Sequence, residues 1–123
     1  MIRYLTIKTG SELTTQYSPT SPFTTRKVEV EIVGVDHPKY RMMVDFIEIK
    51  QIIHRLDHLY LNDHFKQPTA ENLARYFSLK FWRVANRVYP YILTVRVRVF
   101  EPPKSYAEVE VNREEVQILE GEV

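Results

Sequence analysis

From residue 91 to residue 100 every second side chain is apolar. Leu93, Val95, Val97 and Val99 fall on one side, and Thr94, Arg96 and Arg98 on the other. A period of two is the mark of an extended strand, and a strand with one apolar face must lay that face against a core. The pattern recurs twice. Val28, Val30 and Ile32 alternate with Lys27, Glu29 and Glu31 over residues 26–34, and Ala107, Val109 and Val111 alternate with Glu108 and Glu110 over residues 105–112. Three half-buried strands in one short chain need other elements to cover their shared apolar face.

Two helical segments between them meet that need. Asp45 followed by Glu48 has the form of a helix N-terminus, with carboxylates near the positive end of the dipole. Phe46, Ile49, Ile52, Ile53 and Leu56 follow at helical spacing. The second segment starts at Pro68-Thr69, with Thr69 as the expected N-cap and Glu71 in the first turn. Leu73, Ala74, Phe77 and Phe81 form its apolar stripe, flanked by Tyr76 and Trp82, and core packing is the reading for this aromatic group.

Residues 2–8 are rich in β-formers and predict a first strand. Residues 9–25 are dominated by Thr, Ser, Pro and Gly and predict a long loop, and Gly34–Tyr40 predicts a turn. Pro102-Pro103 ends the third strand. The acidic tail from Glu114 to Val123 is expected to extend the fourth strand or to form a short helix. The order is ββααββ in one domain spanning residues 1–123. It implies an α+β fold, with a four-stranded antiparallel sheet and two helices on one face. The opposite, charged face reads as a solvated surface with cross-strand ion pairs, or as the lining of a closed oligomeric barrel that leaves no free edges.

Composition excludes several function classes. The formal net charge is +1, so nothing in the overall charge calls for nucleic acid or an anionic membrane surface. The absence of cysteine rules out disulfides, thiolate metal sites and cysteine nucleophiles. No apolar run approaches the ~20 residues that span a bilayer, and the N-terminal stretch lacks a signal-peptide pattern. A cytoplasmic location is the expectation.

Four sequence words sit on matching elements of this plan. Met42-Met43-Val44-Asp45-Phe46 precedes the first helix, and Leu56-Asp57-His58-Leu59-Tyr60-Leu61-Asn62 ends it. Pro68-Thr69-Ala70-Glu71-Asn72-Leu73-Ala74 opens the second helix, and Val97-Arg98-Val99-Phe100-Glu101 ends the third strand. In this order they resemble the 6-pyruvoyl tetrahydropterin synthase and 6-carboxytetrahydropterin synthase family over residues 27–111. The resemblance implies the tunnelling fold. It also implies subunits joined through their sheets into a trimeric barrel, often stacked into a hexamer, with active sites between subunits. On it, Glu101 matches the glutamate that anchors the 2-amino-pyrimidinone edge of a pterin, a task for which a carboxylate has two acceptor oxygens. Thr69 matches the loop beside the bound ring. Asp57 and His58 match the pair that moves protons with the family's cysteine.

The same alignment places Ser11, Pro22 and Thr24 where the family carries its three zinc histidines. None of these side chains substitutes for an imidazole. His54 and His58 are four residues apart, as on a zinc-binding helix, with His64 and His37 elsewhere. No His-Glu-x-x-His pattern accompanies them, so the metal expectation is none, and no cofactor is expected. For Arg96 and Arg98 a sheet-face charge pair is favoured over phosphate binding. Two functions follow. One is a protein that binds a pterin or purine-like heterocycle through Glu101, without zinc chemistry. If it is an enzyme, it is a metal-independent lyase or related catalyst using Asp57 and His58. The other is a non-catalytic relative serving in assembly or partner binding. Both imply a homo-oligomer, trimer or hexamer, with no nucleic-acid or membrane partner.

Overall fold

The computed structural model describes residues 2–114. The expected tail beyond Glu114 lies outside the described residues. Strands β1 (Tyr4–Thr15) and β2 (Thr24–Val35) form a hairpin. Helix α1 (Phe46–His54), a short 3-10 turn (Leu61–Asp63) and helix α2 (Ala70–Val88) follow. Strands β3 (Ile92–Glu101) and β4 (Ser105–Asn112) close the chain. The sheet is antiparallel throughout, in the order β1-β2-β3-β4.

The alternation read from the sequence sets the layers. Val28, Val30 and Ile32 on β2, Val95, Val97 and Val99 on β3, and Val111 on β4 are all buried under the helices. Leu73, Ala74, Phe77, Phe81 and Trp82 of α2 meet them, with Phe77 and Phe81 stacked at 5.6 Å between centroids. From α1, Ile49, Ile52 and Ile53 are buried, whereas Phe46 is exposed at the first position of the helix. Both expected N-caps form. The Asp45 carboxylate accepts from Ile47 N–H at 2.9 Å, and Thr69 Oγ1 accepts from Asn72 N–H at 3.2 Å. Each satisfies an amide that has no partner within its own helix.

The outer face carries the charges. Arg96 lies within 3.5 Å of Glu31, 3.8 Å of Glu108 and 3.3 Å of Glu110, and Arg98 donates to Glu108 at 2.5 Å. Lys27 and Lys8 flank Glu29 at 2.8 and 4.0 Å. This is the cross-strand pairing favoured for Arg96 and Arg98 from the sequence.

The expected loop over residues 9–25 is the main correction. β1 runs to Thr15, and only residues 16–23 connect the strands. Ser11, Leu13 and Thr15 pair with Val28, Arg26 and Thr24. Strand β2 offers a full row of amides and carbonyls on that side, and pairing with them overrides a Thr/Ser-rich composition. The second correction concerns the histidines. α1 ends at His54, and His58 lies in a turn with φ of 60°. The two rings therefore do not share a helical face.

Candidate functional site

One end of the sheet collects most of the residues singled out by sequence. Glu101 is the last residue of β3 and is in phase with buried Val97 and Val99. It lines a cavity of about 250 Å³ together with Glu12, Thr25, Arg26, Lys27, Phe100, Pro102 and Pro103. Its side chain is 45% exposed, so the carboxylate is open to a ligand.

Arg26 faces Glu101 across this end, with Nη2 3.6 Å from the carboxylate. Its side chain is only 2% exposed. Nη2 also donates to the Tyr17 hydroxyl, and the guanidinium lies 5.2 Å from the Tyr17 ring centroid. Nε and Nη1 are buried without a hydrogen-bond partner among the described residues. Burial pulls the Arg26 pKa below its ordinary value, while the Glu101 charge pushes it back up. Sequence reading passed over Arg26 and Tyr17. A signal was present for the first: Arg26 stands in phase with Val28, Val30 and Ile32, where an apolar residue belongs.

Asp57 and His58 approach the same end from the segment after α1. Asp57 Oδ1 accepts from Thr14 N–H at 2.9 Å, and His58 N–H donates to the Thr14 carbonyl at 2.6 Å. Thr14 shares a hydroxyl–hydroxyl hydrogen bond of 2.9 Å with Thr25, which lines the cavity. The chain continues this pairing beyond Thr14. Gln16 N–H donates to the Leu59 carbonyl at 3.1 Å, and Leu61 N–H to the Gln16 carbonyl at 2.7 Å. The segment is thus laced to β1 by backbone bonds. The His58 ring is exposed and meets the edge of Phe23 at 5.7 Å. Neither Asp57 nor His58 lines the Glu101 cavity.

Thr69 also stands outside the cavity and caps α2. Its neighbours in the Pro-Thr-Ala-Glu-Asn word complete that start. Asn72 Nδ2 donates to the Gln67 carbonyl at 2.8 Å, and Arg75 donates to Asn72 Oδ1 at 2.8 Å.

The three positions aligned with zinc ligands do not converge. Ser11 sits opposite Val28, while Thr24 sits opposite Thr15. Four residues of strand separate Ser11 from Thr15, or roughly 13 Å at about 3.4 Å per residue. Ser11 Oγ instead bonds His54 Nε2 at 2.8 Å. His37 stacks on Tyr91 at 4.8 Å, and its Nδ1 accepts from Lys39 N–H at 3.2 Å. Among the described residues no three His, Asp or Glu side chains gather as metal ligands would. These side chains do not fit the zinc site that the resemblance implies.

Comparison with known proteins agrees with this architecture. Residues 24–112 match the family described as 6-pyruvoyl tetrahydropterin synthase. No curated protein sequence matches the chain. Among solved structures, the 6-pyruvoyl tetrahydropterin synthase of Plasmodium vivax superimposes with a TM-score of 0.64 at 14% identity, over 91% of this chain and 99% of that one. The Caenorhabditis elegans enzyme gives 0.60 at 16% identity, over 91% and 97%. A P. vivax variant whose catalytic residue, a glutamate, is replaced by alanine gives 0.62 at 13% identity, over 91% and 99%. At these identities the structural likeness speaks for the fold.

Proposed function

The chain belongs to the 6-pyruvoyl tetrahydropterin synthase family, and from that membership we propose that it binds a pterin or purine-like heterocycle through Glu101, without the family's zinc-dependent chemistry. The observation that carries the reading is the Glu101 carboxylate, half exposed at the mouth of a cavity of about 250 Å³. A ring with an N–H beside an exocyclic amine can give two hydrogen bonds to one carboxylate, and a charged acceptor makes both strong. Phe100, Pro102 and Pro103 supply apolar wall for the ring.

Strands β1 and β4 are the two edges of the sheet, and among the described residues the Asp57–His58 segment covers β1 only near Thr14. Joining β1 of one copy to β4 of the next would satisfy them and close a barrel, with the charged face inside. A trimer or a pair of trimers is the assembly we expect. It would bring a second subunit to the open end of the sheet, where Thr69 of one chain could face the pocket of another. No helix among the described residues is long and apolar enough to cross a membrane, and a cytoplasmic protein remains the reading.

If the protein turns its ligand over, His58 is the proposed proton carrier, with Asp57 holding the turn that presents it.

Calorimetry with pterin and guanine tests the binding. Wild type is expected to bind at least one of them, and Glu101→Gln to weaken that binding by ~10-fold or more, because one acceptor becomes a donor. No binding of either ring by wild type defeats the reading. Native mass spectrometry of the purified protein reports both a retained heterocycle and the oligomer. Stoichiometric zinc in the same sample would overturn the reading of Ser11, Pro22 and Thr24.

A second reading, a non-catalytic relative kept for assembly or partner binding, rests on a different observation. Asp57 is engaged by the Thr14 amide and Thr69 by the Asn72 amide, so both motif residues already do structural work. An oligomer with no heterocycle and no affinity for one would favour it.

A further inference from the structure

The charges on the outer face of the sheet follow an order that one chain leaves open at both ends. Strand pairing sets Lys8 opposite Glu31, Glu31 opposite Arg96, and Arg96 opposite Glu110. Across the four strands this row alternates positive, negative, positive, negative. Its interior is closed by contact, since Arg96 lies 3.5 Å from Glu31 and 3.3 Å from Glu110. Its ends stand on the two edge strands. Lys8, on β1, is 53% exposed and reaches Glu29 only at 4.0 Å. Glu110, on β4, is 48% exposed and has Arg96 on its inner side. The row therefore starts with a half-free cation and finishes with a half-free anion.

We propose that β4 of one copy joins β1 of the next in the register that sets Glu110 beside the partner's Lys8, so that the alternating row runs on from copy to copy. This rests on the assembly proposed above and names the ion pair that aligns it. Charge first decides the kind of joint. Two β4 edges side by side would gather Tyr106, Glu108, Glu110 and Asn112 with no cation among them. Two β1 edges side by side would leave both β4 edges open. Only β4 against β1 uses both edges and brings opposite charges together. Register follows from the same rule. A slip of one residue would turn the outer face inward, so only steps of two are open. With Glu110 opposite Gly10 of the next copy, Glu108 would face Glu12, a like charge. The opposite step gives Lys8 to Glu108, which Arg98 already holds at 2.5 Å and Arg96 approaches at 3.8 Å. Larger steps oppose Glu110 to Glu12 or leave Lys8 with no carboxylate opposite. With Lys8 against Glu110, Glu108 faces uncharged Gly10, and the Tyr106 hydroxyl falls on the same row as Glu12.

Disulfide trapping reads the register directly, because the chain has no cysteine of its own. Within one chain, residues 8 and 110 are separated by three strand spacings, roughly 14 Å at about 4.8 Å each, too far for a disulfide. Lys8→Cys combined with Glu110→Cys, oxidised with diamide in the full chain, is expected to give covalent dimers and trimers on a non-reducing denaturing gel. Lys8→Cys combined with Glu108→Cys sits on the diagonal and should give at least about fivefold less. Stronger trapping through position 108 overturns the register. Equal trapping by Lys8→Cys alone overturns the joint, because it would pair two β1 edges. Charge reversal gives a second measure that needs no cysteine. Lys8→Glu and Glu110→Lys should each weaken assembly about tenfold, followed by native mass spectrometry over a dilution series. The two changes together should assemble more tightly than either alone. The two positions do not touch within a chain, so such rescue reports contact between copies. Additive losses overturn the pairing. An oligomeric wild type that shows neither trapping nor rescue removes the register and leaves the assembly standing. A wild type that stays monomeric removes both.

Discussion

The two ends of the sheet are built on opposite principles. At the far end, where β2 leaves and β3 begins, Tyr89 is 1% exposed and its hydroxyl is fully used. It donates to the Val35 carbonyl and accepts from His37 N–H at 2.9 Å. Tyr40, Tyr91 and His37 pack around it ring against ring. Gly34 admits no side chain there, because an added Cβ would lie 2.9 Å from both Met43 Sδ and the Tyr91 carbonyl. At the Glu101 end one polar group, Arg26, is buried and unfinished, while Glu101 and His58 are open to solvent. Arg26 keeps two donors without a partner among the described residues, a cavity opens beside it, and His58 holds a backbone angle that L side chains rarely adopt. The closed end contributes stability. The open end combines backbone strain with unsatisfied polarity, two features that gather at functional sites.

The strongest way to break this contrast is to empty the closed end. Tyr89→Ala removes a buried ring and a hydroxyl with two hydrogen bonds, and should cost about 3–5 kcal/mol, read by urea denaturation. A loss under about 1 kcal/mol would mean that the far end is not the closed half of the molecule.

A matched pair of polar-to-apolar changes then sharpens it. Tyr89→Phe keeps the ring and leaves the Val35 carbonyl and His37 amide without their partner, for a loss of about 1–2 kcal/mol. Arg26→Met removes a buried charge whose donors are mostly idle. Replacing such a group by an apolar one of similar size is often neutral or stabilising. Stability should therefore stay level or rise. Equal losses at the two ends would erase the distinction.

These two ends also differ in how much the sequence disclosed. The central strands, both helix caps and the apolar stripe of α2 were legible because period and capping chemistry are local. The second half of β1 was not. Residues 9–15 hold Thr, Gly, Ser and Glu, and only Leu13 is a large buried apolar residue. Their extended form comes from the partner strand, which composition does not display. The site was legible in part. Glu101, Asp57 and His58 stood out through the words that carry them, and β1 and the segment after α1 bring them toward one end. Arg26 was hidden because burial of a charge becomes visible only when the strands are paired and the helix layer is in place. Its place in phase with three buried aliphatic residues was the trace it left.

His58 offers a smaller test. Its φ of 60° suits glycine better than any residue with a Cβ, and its ring is exposed. His58→Gly should therefore stabilise the fold by about 0.5–1 kcal/mol, seen as a raised denaturation midpoint. Destabilisation by this change would instead show that the contact with Phe23 outweighs the strain.

The smallest expected effect comes from the charged face, midway between the two ends. The Lys27 ammonium donates to Glu29 and, with Lys8 and Arg98 nearby, holds its carboxyl below the ordinary value against the opposing effect of burial. A carboxylate whose pKa is lower folded than unfolded takes up fewer protons in the native state. Its contribution is complete above the unfolded value of about 4.3 and is lost as pH falls through the folded value. Stability should thus decline in acid, below about pH 4, and Glu29→Gln should make that decline shallower while leaving the slope near neutrality unchanged. Lys27→Met should act in the same direction, because it removes the partner that depresses the Glu29 pKa most. The effect should also weaken in high salt, since Lys27 is more than half exposed and screening reaches such pairs. An acid limb that Glu29→Gln leaves unaltered would show that the Lys27–Glu29 pair does not set the acid sensitivity of the fold.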